Sequence, residues 1–335
     1  MTHRRSDENS VLKRILGGAG TTPNPGRHGI RIAIGDDAAI FRPKAGQETI
    51  LTCDWFLEGT HFLREKHPPG AVGWKCLARA VSDVAAMGGR PRCFLLSLAL
   101  PESHTGRWLD EFLSGLRRAA RKFNCVLAGG DTTRRREILI DVTVVGEVQA
   151  SSAVLRSGAH AGDIIYVSGR LGEAELGLRI LRKNKGRANA RNHLVKKHLY
   201  PHPRLALGQW LCDRRLATAM MDLSDGLSSD LPRLCAASGV GAQVESAKIP
   251  RVQIPQSNPS REIDPLYLAL HGGDDYELLF TVRPGKAKSL PQSFKGVALT
   301  SIGKITEKPG VVLLQENGGA RPINPGGWDP FRMNR

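Results

Sequence analysis

The residues best suited to chemistry in this sequence are aspartates that follow short apolar runs. Clustered carboxylates repel one another unless cations lie among them, and hard oxygen ligands suit Mg²⁺. Aspartates at strand ends can meet at one edge of a sheet, where flanking glycines leave the backbone accessible. The aspartates lie in the strings Ile34-Gly35-Asp36-Asp37, Leu51-Thr52-Cys53-Asp54, Ala128-Gly129-Gly130-Asp131, Met221-Asp222-Leu223-Ser224-Asp225-Gly226 and Arg79-Ala80-Val81-Ser82-Asp83.

Taken one at a time, these aspartates also have ordinary structural explanations. Gly-Asp-Asp and Gly-Gly-Asp are turn sequences, Ser224 or Asp225 can cap the helix that follows, and Asp83 can face solvent. The set as a whole is harder to explain by structure alone. It favours a carboxylate metal site that holds nucleotide phosphates without a P-loop.

The common nucleotide-binding motifs are absent from this sequence. It contains no G-x-x-x-x-G-K-[ST], no G-x-G-x-x-G after a strand, and no H-R-D or D-F-G pair. A metal-carboxylate site favours phosphoryl transfer, in which the protein mainly positions the reactants and neutralises charge. If the acceptor is a phosphate monoester, its second pKa of about 6 leaves it largely ionised at neutral pH. We therefore assign no catalytic acid or base, and the residues alone leave the acceptor open.

Apolar periodicity predicts alternating strands and helices in both halves of the chain. After an amphipathic start at 6–16, we predict strands at 31–34, 49–53, 93–100, 125–128 and 137–148, with helices at 72–87 and 105–123. Beyond a polar linker at 149–161, we predict strands at 163–168, 217–221, 276–282 and 297–302, with helices at 173–181, 227–237 and 265–270. The sequence therefore predicts two mixed α/β domains, each a sheet covered by helices.

Composition narrows the class of protein further. A net charge of +16 fits a nucleic acid, a membrane surface or an anionic small substrate. The basic runs lack the interleaved aromatic residues of a single-strand binder, so nucleic-acid binding is the less favoured alternative.

No apolar run approaches the ~20 residues of a membrane span, and we expect a cytoplasmic protein. The six cysteines form no C-x-x-C pair and are predicted to be reduced, packed thiols.

Longer strings of this sequence resemble thiamine-monophosphate kinases, in the order found in that family. The wider superfamily includes aminoimidazole ribonucleotide synthetase, selenide water dikinase and a hydrogenase maturation factor. It shares the aspartates but lacks the combination of E-G-x-H-F, M-D-L-S-D-G-L and a terminal G-W-D. The strings are IGDDAA (34–39), LTCDWFLEGTHF (51–62), RAVSDVAAMGGRP (79–91), AGGDTTR (128–134), RSGAHAGDIIYVSGRLG (156–172), MDLSDGLSSDL (221–231), GGDDYELLF (272–280) and GGWDPF (326–331).

The resemblance implies a two-domain α/β (α+β) fold like that of aminoimidazole ribonucleotide synthetase. Residues 1–150 would bind ATP and Mg²⁺ and form the core of a homodimer, and residues 151–335 would form the second α/β domain. The implied reaction is ATP-dependent, Mg²⁺-dependent phosphorylation of thiamine monophosphate to thiamine diphosphate by direct in-line transfer. It is the last step of thiamine diphosphate biosynthesis. Several Mg²⁺ ions would take part, with ATP as co-substrate.

The resemblance also implies a role for each matching residue. Contacts with ATP fall to Gly130, Asp131, Arg156 and Ser224, and contacts with thiamine monophosphate fall to His61, Asp274 and Trp328. The Mg²⁺ ligands would be Asp37, Thr52, Cys53, Asp54, Asp83, Asp131, Asp222 and Asp225.

The sequence departs from the family pattern in a few places. Asp274 stands where the family commonly has Glu, which shortens its reach. Cys53 stands where threonine is commoner, and it can serve through its backbone carbonyl. The basic stretch 182–197 is longer and more charged than usual. Two alternatives stay open: another ATP-dependent member of the superfamily, and a nucleic-acid-binding protein that keeps the fold without the activity.

Overall fold

Alternating apolar and polar residues build two separate sheets in this chain. The computed structural model describes residues 8–16, 27–32, 38–183, 192–254 and 263–331. These residues fall into an N-terminal unit, residues 8–84 and 89–151, and a C-terminal unit, residues 85–88 and 152–331. Both units mix helices with a sheet, so the predicted α/β class is confirmed.

The first half of the chain contains a four-stranded sheet in the order β3-β6-β4-β5. Strands β4 and β5 are parallel, and the other neighbours are antiparallel. A small hairpin of β1 and β2 packs Ile30 and Phe41 against Cys93 and Ala128. The elements are α1 (Glu8–Leu16), β1 (Ile30–Ile32), β2 (Ile40–Phe41), β3 (Gln47–Leu57), α2 (Pro69–Ala86), β4 (Arg90–Leu100), α3 (Arg107–Phe123), β5 (Val126–Arg134) and β6 (Leu139–Gln149).

The second half contains a larger sheet in the order β14-β13-β9-β12-β7-β10-β8, with β11 paired to β12. Its only parallel pair among the described strands is β9 with β13. Helix α7 covers the core through Leu227, Leu231 and Leu234. The elements are β7 (Ile164–Ser168), α4 (Glu173–Lys183), α5 (His193–Leu199), α6 (Leu205–Asp213), β8 (Ala217–Leu223), α7 (Leu227–Ser238), β9 (Gly241–Glu245), α8 (Pro265–His271), β10 (Glu277–Val282), α9 (Pro284–Ala287), β11 (Ser293–Phe294), β12 (Val297–Thr306), β13 (Gly310–Leu314) and β14 (Ala320–Pro322).

The predicted strand ends are wrong at the aspartate motifs. Strand β3 continues to Leu57, β5 to Arg134 and β8 to Leu223, so Asp54, Asp131 and Asp222 lie within strands. The reason is the backbone ladder: β3 pairs with β6 along its whole length, and those hydrogen bonds carry the strand through polar residues. Gly-Gly-Asp at 129–131 is likewise strand and not a turn.

All six cysteines are free thiols, and every one except Cys53 is buried. No helix in the described ranges is long and apolar enough to cross a membrane.

The short elements β9, β13, α5 and α6 were not predicted, because their apolar runs are too brief to show a period.

Candidate functional site

In the N-terminal unit, three of the predicted ligands lie where strand β3 contacts helix α2. We call this contact the β3–α2 seam. Alternation along β3 places Thr52 and Asp54 on the face that also carries the buried Ile50 and Phe56. Thr52 Oγ1 donates to Asp83 Oδ2 at 2.5 Å, so Asp83 faces β3 and not solvent. One helical turn earlier, Arg79 Nη2 lies 3.9 Å from Asp54 Oδ1. The seam therefore presents hard oxygen ligands from rigid elements, with a cation beside them.

Cys53 lies on the opposite face of β3. It is exposed, and its Sγ donates to Asp141 Oδ1 at 2.9 Å. That hydrogen bond and partial burial raise the pKa of the Cys53 thiol. Because successive side chains of a strand point to opposite faces, the thiol is directed away from Thr52 and Asp54. The predicted metal role of Cys53 therefore falls to its backbone carbonyl and not to its thiol.

Gly130 and Asp131 lie on β5, opposite Leu96 and Ser97 of β4. A Cβ on Gly130 would lie 1.9 Å from the Leu96 carbonyl oxygen, so only glycine allows the two strands this approach. The exposed Asp131 accepts a hydrogen bond from the Thr132 backbone N–H at 2.9 Å. Asp37, the remaining predicted ligand of this half, lies outside the described residues.

His61 lies in a turn directly after β3. Its Nδ1 accepts from the Leu57 N–H at 3.0 Å, so the neutral ring carries its proton on Nε2. Glu58 fixes the turn, because its carboxylate accepts from the Ile138 N–H at 2.8 Å and lies 3.1 Å from Arg64.

The described side chains do not form a complete metal cluster. Within residues 8–16, 27–32, 38–183, 192–254 and 263–331, no group of three or more His, Cys, Asp or Glu side chains could hold a metal ion. Among the described residues of the N-terminal unit, the structure thus brings Thr52, Asp54 and Asp83 to one seam.

In the C-terminal unit, the predicted residues surround the turn between β8 and α7. Asp222 is buried near the end of β8, opposite Leu278 of β10. The helix cap at Ser224 or Asp225 was predicted wrongly: α7 begins after Gly226, and no side chain caps it. Gly226 has φ 101°, and a Cβ there would lie 2.9 to 3.0 Å from the carbonyls of Gly272 and Leu270. Close backbone packing therefore requires glycine at the cap.

A buried carboxylate that was not predicted holds this turn in place. Asp230, fully buried in the first turns of α7, accepts from the N–H groups of Ser224 at 3.1 Å and Asp225 at 3.0 Å. Burial, reinforced by the charge of Asp225, raises the pKa of Asp230 to about 7. Arg233 Nη1 donates to Asp230 at 2.9 Å and to Asp225 at 2.5 Å. Asp230 thus supports the backbone of the residues expected to contact ATP and metal.

Asp274 lies in a strained loop that is tied to the same turn. Asp274 has φ 67° and Tyr276 has φ 50°, which are left-handed values unusual for residues other than glycine. The Asp274 N–H donates to the Ser224 carbonyl at 2.8 Å, and the Tyr276 hydroxyl donates to the Asp274 carboxylate at 2.8 Å. Such strain persists only where the surroundings hold it.

Two acids on either side of Tyr276, the half-buried Asp275 and the buried Glu277, support this loop. Asp275 accepts from the N–H groups of Gly172 at 2.6 Å and Ala174 at 3.1 Å, at the start of α4. Burial raises the pKa of Asp275 to about 8. Glu277 accepts from Arg204 through two bonds and from Ser168 Oγ. Burial opposes ionisation of Glu277, but its bonds with Arg204 outweigh it and lower its pKa.

Arg156 and Trp328 lie on segments packed against β8 and α7. The Met220 N–H donates to the Leu155 carbonyl at 3.0 Å, which places the exposed Arg156 beside β8. Ser238, the last residue of α7, donates to the Arg156 carbonyl at 2.8 Å. Trp328 is 40% exposed, and its backbone N–H donates to the Asp225 carbonyl at 3.0 Å. The C-terminal unit thus brings together Asp222, Ser224, Asp225, Asp274 and Trp328.

In the sequence, the only signal for the two supporting acids is their position inside the motif strings. Asp230 and Asp275 both lie inside motif strings, but nothing in a single sequence distinguishes a buried carboxylate from an exposed one.

The matching family models and the similar known proteins point to the same family. The chain matches AIR synthase related protein, N-terminal domain, over residues 35–148 and the corresponding C-terminal domain over residues 160–315. It is 40% identical to the thiamine-monophosphate kinase of Buchnera aphidicola subsp. Acyrthosiphon pisum (strain APS), over 82% of this chain and 84% of that protein.

Solved structures of similar proteins cover nearly the whole chain. The crystal structure of thiamine-monophosphate kinase from Stenotrophomonas maltophilia K279a is 35% identical, with a TM-score of 0.78 over 93% of this chain and 96% of that one. A structure of AaThiL complexed with AMPPCP and TMP is 32% identical, with a TM-score of 0.76 over 99% of both chains.

Proposed function

Because the chain belongs to the thiamine-monophosphate kinase family of AIR synthase related proteins, we propose that it phosphorylates thiamine monophosphate with ATP and Mg²⁺ by direct in-line transfer. The observation that carries this proposal is the similarity, over 99% of both chains, to a structure complexed with AMPPCP and TMP. An acceptor phosphate oxygen attacks the γ-phosphorus of ATP as the bond to ADP breaks, which gives thiamine diphosphate. This is the last step of thiamine diphosphate biosynthesis.

The oxygen-rich seam of the N-terminal unit fits Mg²⁺ by its chemistry. Thr52, Asp54 and Asp83 are hard donors on adjacent elements, and the short Thr52–Asp83 hydrogen bond shows that two of them already approach closely. Asp37 and the Cys53 carbonyl would add ligands here, and Asp131 on β5, at the other edge of the sheet, would hold Mg²⁺ separately. Bound Mg²⁺ would neutralise negative charge on the phosphates during transfer. Gly130 and Asp131 would contact ATP on a strand that no larger residue at position 130 could form.

In the C-terminal unit, Arg156 and Ser224 would contact ATP, and Asp222 and Asp225 would hold further Mg²⁺. The exposed guanidinium of Arg156 offers a fork of donors suited to phosphate. The acceptor would contact His61, Asp274 and Trp328. The half-exposed Trp328 ring suits stacking on the cationic thiazolium of thiamine, and Asp274 offers it a negative charge.

A homodimer through the N-terminal sheet is part of this proposal. Leu51, Trp55 and Leu95 share the face of the sheet opposite α2, and they are 70%, 55% and 37% exposed. A row of exposed apolar side chains on a sheet can become buried by contact with the same face of a second chain. We expect Trp55→Asp to convert the dimer to a monomer in sedimentation velocity, while Trp108→Phe on α3 leaves the dimer intact. A monomeric wild-type protein would contradict the dimer.

The proposed reaction can be tested with the purified protein. ATP, Mg²⁺ and thiamine monophosphate should yield thiamine diphosphate, followed directly by chromatography. Asp54→Asn and Asp222→Asn should lose the product, whereas Asp110→Asn, which removes a surface charge paired to Arg14, should retain it. A folded wild type that binds ATP without forming thiamine diphosphate would contradict the acceptor. It would direct attention to other acceptors of the superfamily.

A further inference from the structure

A short segment near the C-terminus lies against the first turn of α7. We call residues 326–328 the tail segment. The Gly326 N–H donates to Ser228 Oγ at 3.3 Å, and the Gly327 N–H donates to Ser229 Oγ at 3.1 Å. The Trp328 N–H donates to the Asp225 carbonyl at 3.0 Å. The backbone N–H groups of the segment are therefore held by the first turn of α7 and by the Asp225 carbonyl just before it.

The contact is too close for any residue but glycine at two of its positions. A Cβ on Gly327 would lie 1.9 Å from the Asp225 carbonyl oxygen and 2.7 Å from Ser229 Oγ. A Cβ on Gly326 would lie 2.6 Å from His271 Nδ1. Backbone-to-backbone packing of this kind fixes the path of the chain, and with it the place where the next side chain, Trp328, begins.

Both serine hydroxyls lie at the buried start of α7, where the N-cap residue Gly226 offers no side chain. Ser228 Oγ also shares a hydrogen bond of 2.8 Å with His271 Nδ1 from α8. Ser228 is fully buried and Ser229 is 7% exposed. A buried hydroxyl with fixed partners holds the tail segment in one geometry.

We propose that Ser228 and Ser229, backed by His271, form a clasp that positions the Trp328 ring for the acceptor substrate. The clasp residues act through Trp328 and do not touch the substrate themselves. This inference rests on the proposed function, since Trp328 is there a contact of thiamine monophosphate. Its consequence is that affinity for the acceptor depends on hydroxyl groups inside α7, whereas ATP binding does not.

The test begins with Ser229→Ala. Loss of one buried hydrogen bond should raise KM for thiamine monophosphate roughly 3- to 10-fold, with kcat and KM for ATP unchanged. Ser229→Thr keeps the hydroxyl and should restore KM. Ser289→Ala removes a surface hydroxyl that donates to one main-chain carbonyl, and it should behave as wild type. A Ser229→Ala variant in which both KM values rise together with a loss of thermal stability would reduce the clasp to a purely structural role and overturn the proposal.

A second variant disturbs the clasp from the other side. Gly327→Ala leaves α7 intact but should displace the tail segment, so its effect on KM should match that of Ser229→Ala. Acrylamide quenching of Trp328, isolated by difference from Trp328→Phe, should increase in both variants. Unchanged quenching, or increased quenching with unchanged affinity for thiamine monophosphate, would overturn the proposal.

Calorimetric titration with thiamine monophosphate alone separates the clasp from the reaction. If the wild type binds thiamine monophosphate but transfers no phosphate, the proposed function fails, and a weaker dissociation constant in Ser229→Ala still supports the clasp. If Ser229→Ala and the wild type bind thiamine monophosphate equally, the clasp fails whatever the turnover.

Discussion

The candidate residues of the two units are held in different ways. In the N-terminal unit, Thr52, Asp54 and Asp83 project from a strand and a helix, where regular backbone hydrogen bonds fix them. In the C-terminal unit, Asp225 and Asp274 lie in turns, and buried acids and serines behind them set their positions. The first arrangement depends on the oxygen atoms and charges of the residues themselves, whereas the second depends on neighbours that are not proposed to contact a ligand. Substitutions of the seam residues in the N-terminal unit should therefore act on chemistry, and substitutions of the supporting residues in the C-terminal unit on stability or affinity.

The largest expected effect concerns the buried ion pair of the C-terminal unit. Arg204→Ala leaves Glu277, which is 1% exposed, without its bidentate partner, and we expect a loss of about 3 to 5 kcal/mol in the free energy of unfolding. Arg14→Ala removes an exposed pair with Asp110 and should cost less than about 1 kcal/mol. Urea denaturation measures both. Equal losses in the free energy of unfolding would show that burial does not make the Arg204–Glu277 pair more important for stability than the exposed Arg14–Asp110 pair.

The next effect should fall on activity and leave stability unchanged. Asp83→Asn keeps an acceptor for the Thr52 hydroxyl but removes the charge, so we expect an unchanged melting temperature and about a 100-fold lower kcat, or about 2.7 kcal/mol. Steady-state kinetics and thermal unfolding of the same preparation measure the two quantities. Melting well below wild type, with kcat preserved, would mean that the β3–α2 seam serves only the fold.

A smaller effect is expected at Trp328. Removing the ring in Trp328→Ala should weaken binding of thiamine monophosphate by about 0.5 to 2 kcal/mol, the usual range for a cation over an aromatic face. Titration calorimetry measures the dissociation constant directly. Trp210→Phe, which alters a ring stacked on Phe294, serves as the control. Binding that is equally tight in Trp328→Ala and wild type would remove this residue from the acceptor site.

The smallest effect is a pH dependence of stability at His271. Burial, with the nearby charge of Arg321, lowers the pKa of His271 below its ordinary 6.5. As the pH falls through 6.5, the unfolded chain takes up a proton that the folded protein resists, so stability decreases. His271→Gln should flatten the fall in melting temperature between pH 7 and 5. The same slope in variant and wild type would exclude His271 as its source.

Several features of the fold could be predicted from local pattern. Helix α3 shows buried residues at helical spacing, including Leu109, Phe112, Leu113 and Leu116, and its predicted start lies two residues before the observed one. The extent of β3 could not be predicted, because its last residues are held by pairing with β6 and not by their own apolar pattern.

The sequence alone determined the alternation of strands and helices, the family resemblance and the identity of most candidate residues, since those properties depend on residues close together in the chain. Tertiary structure decided which of these residues meet. Thr52 contacts Asp83, Cys53 faces away from both, and Ser229 holds Gly327 across 98 positions of sequence. The raised pKa values of Asp230 and Asp275 were decided in the same way, because the charge and packing around a side chain come from elements distant in the chain.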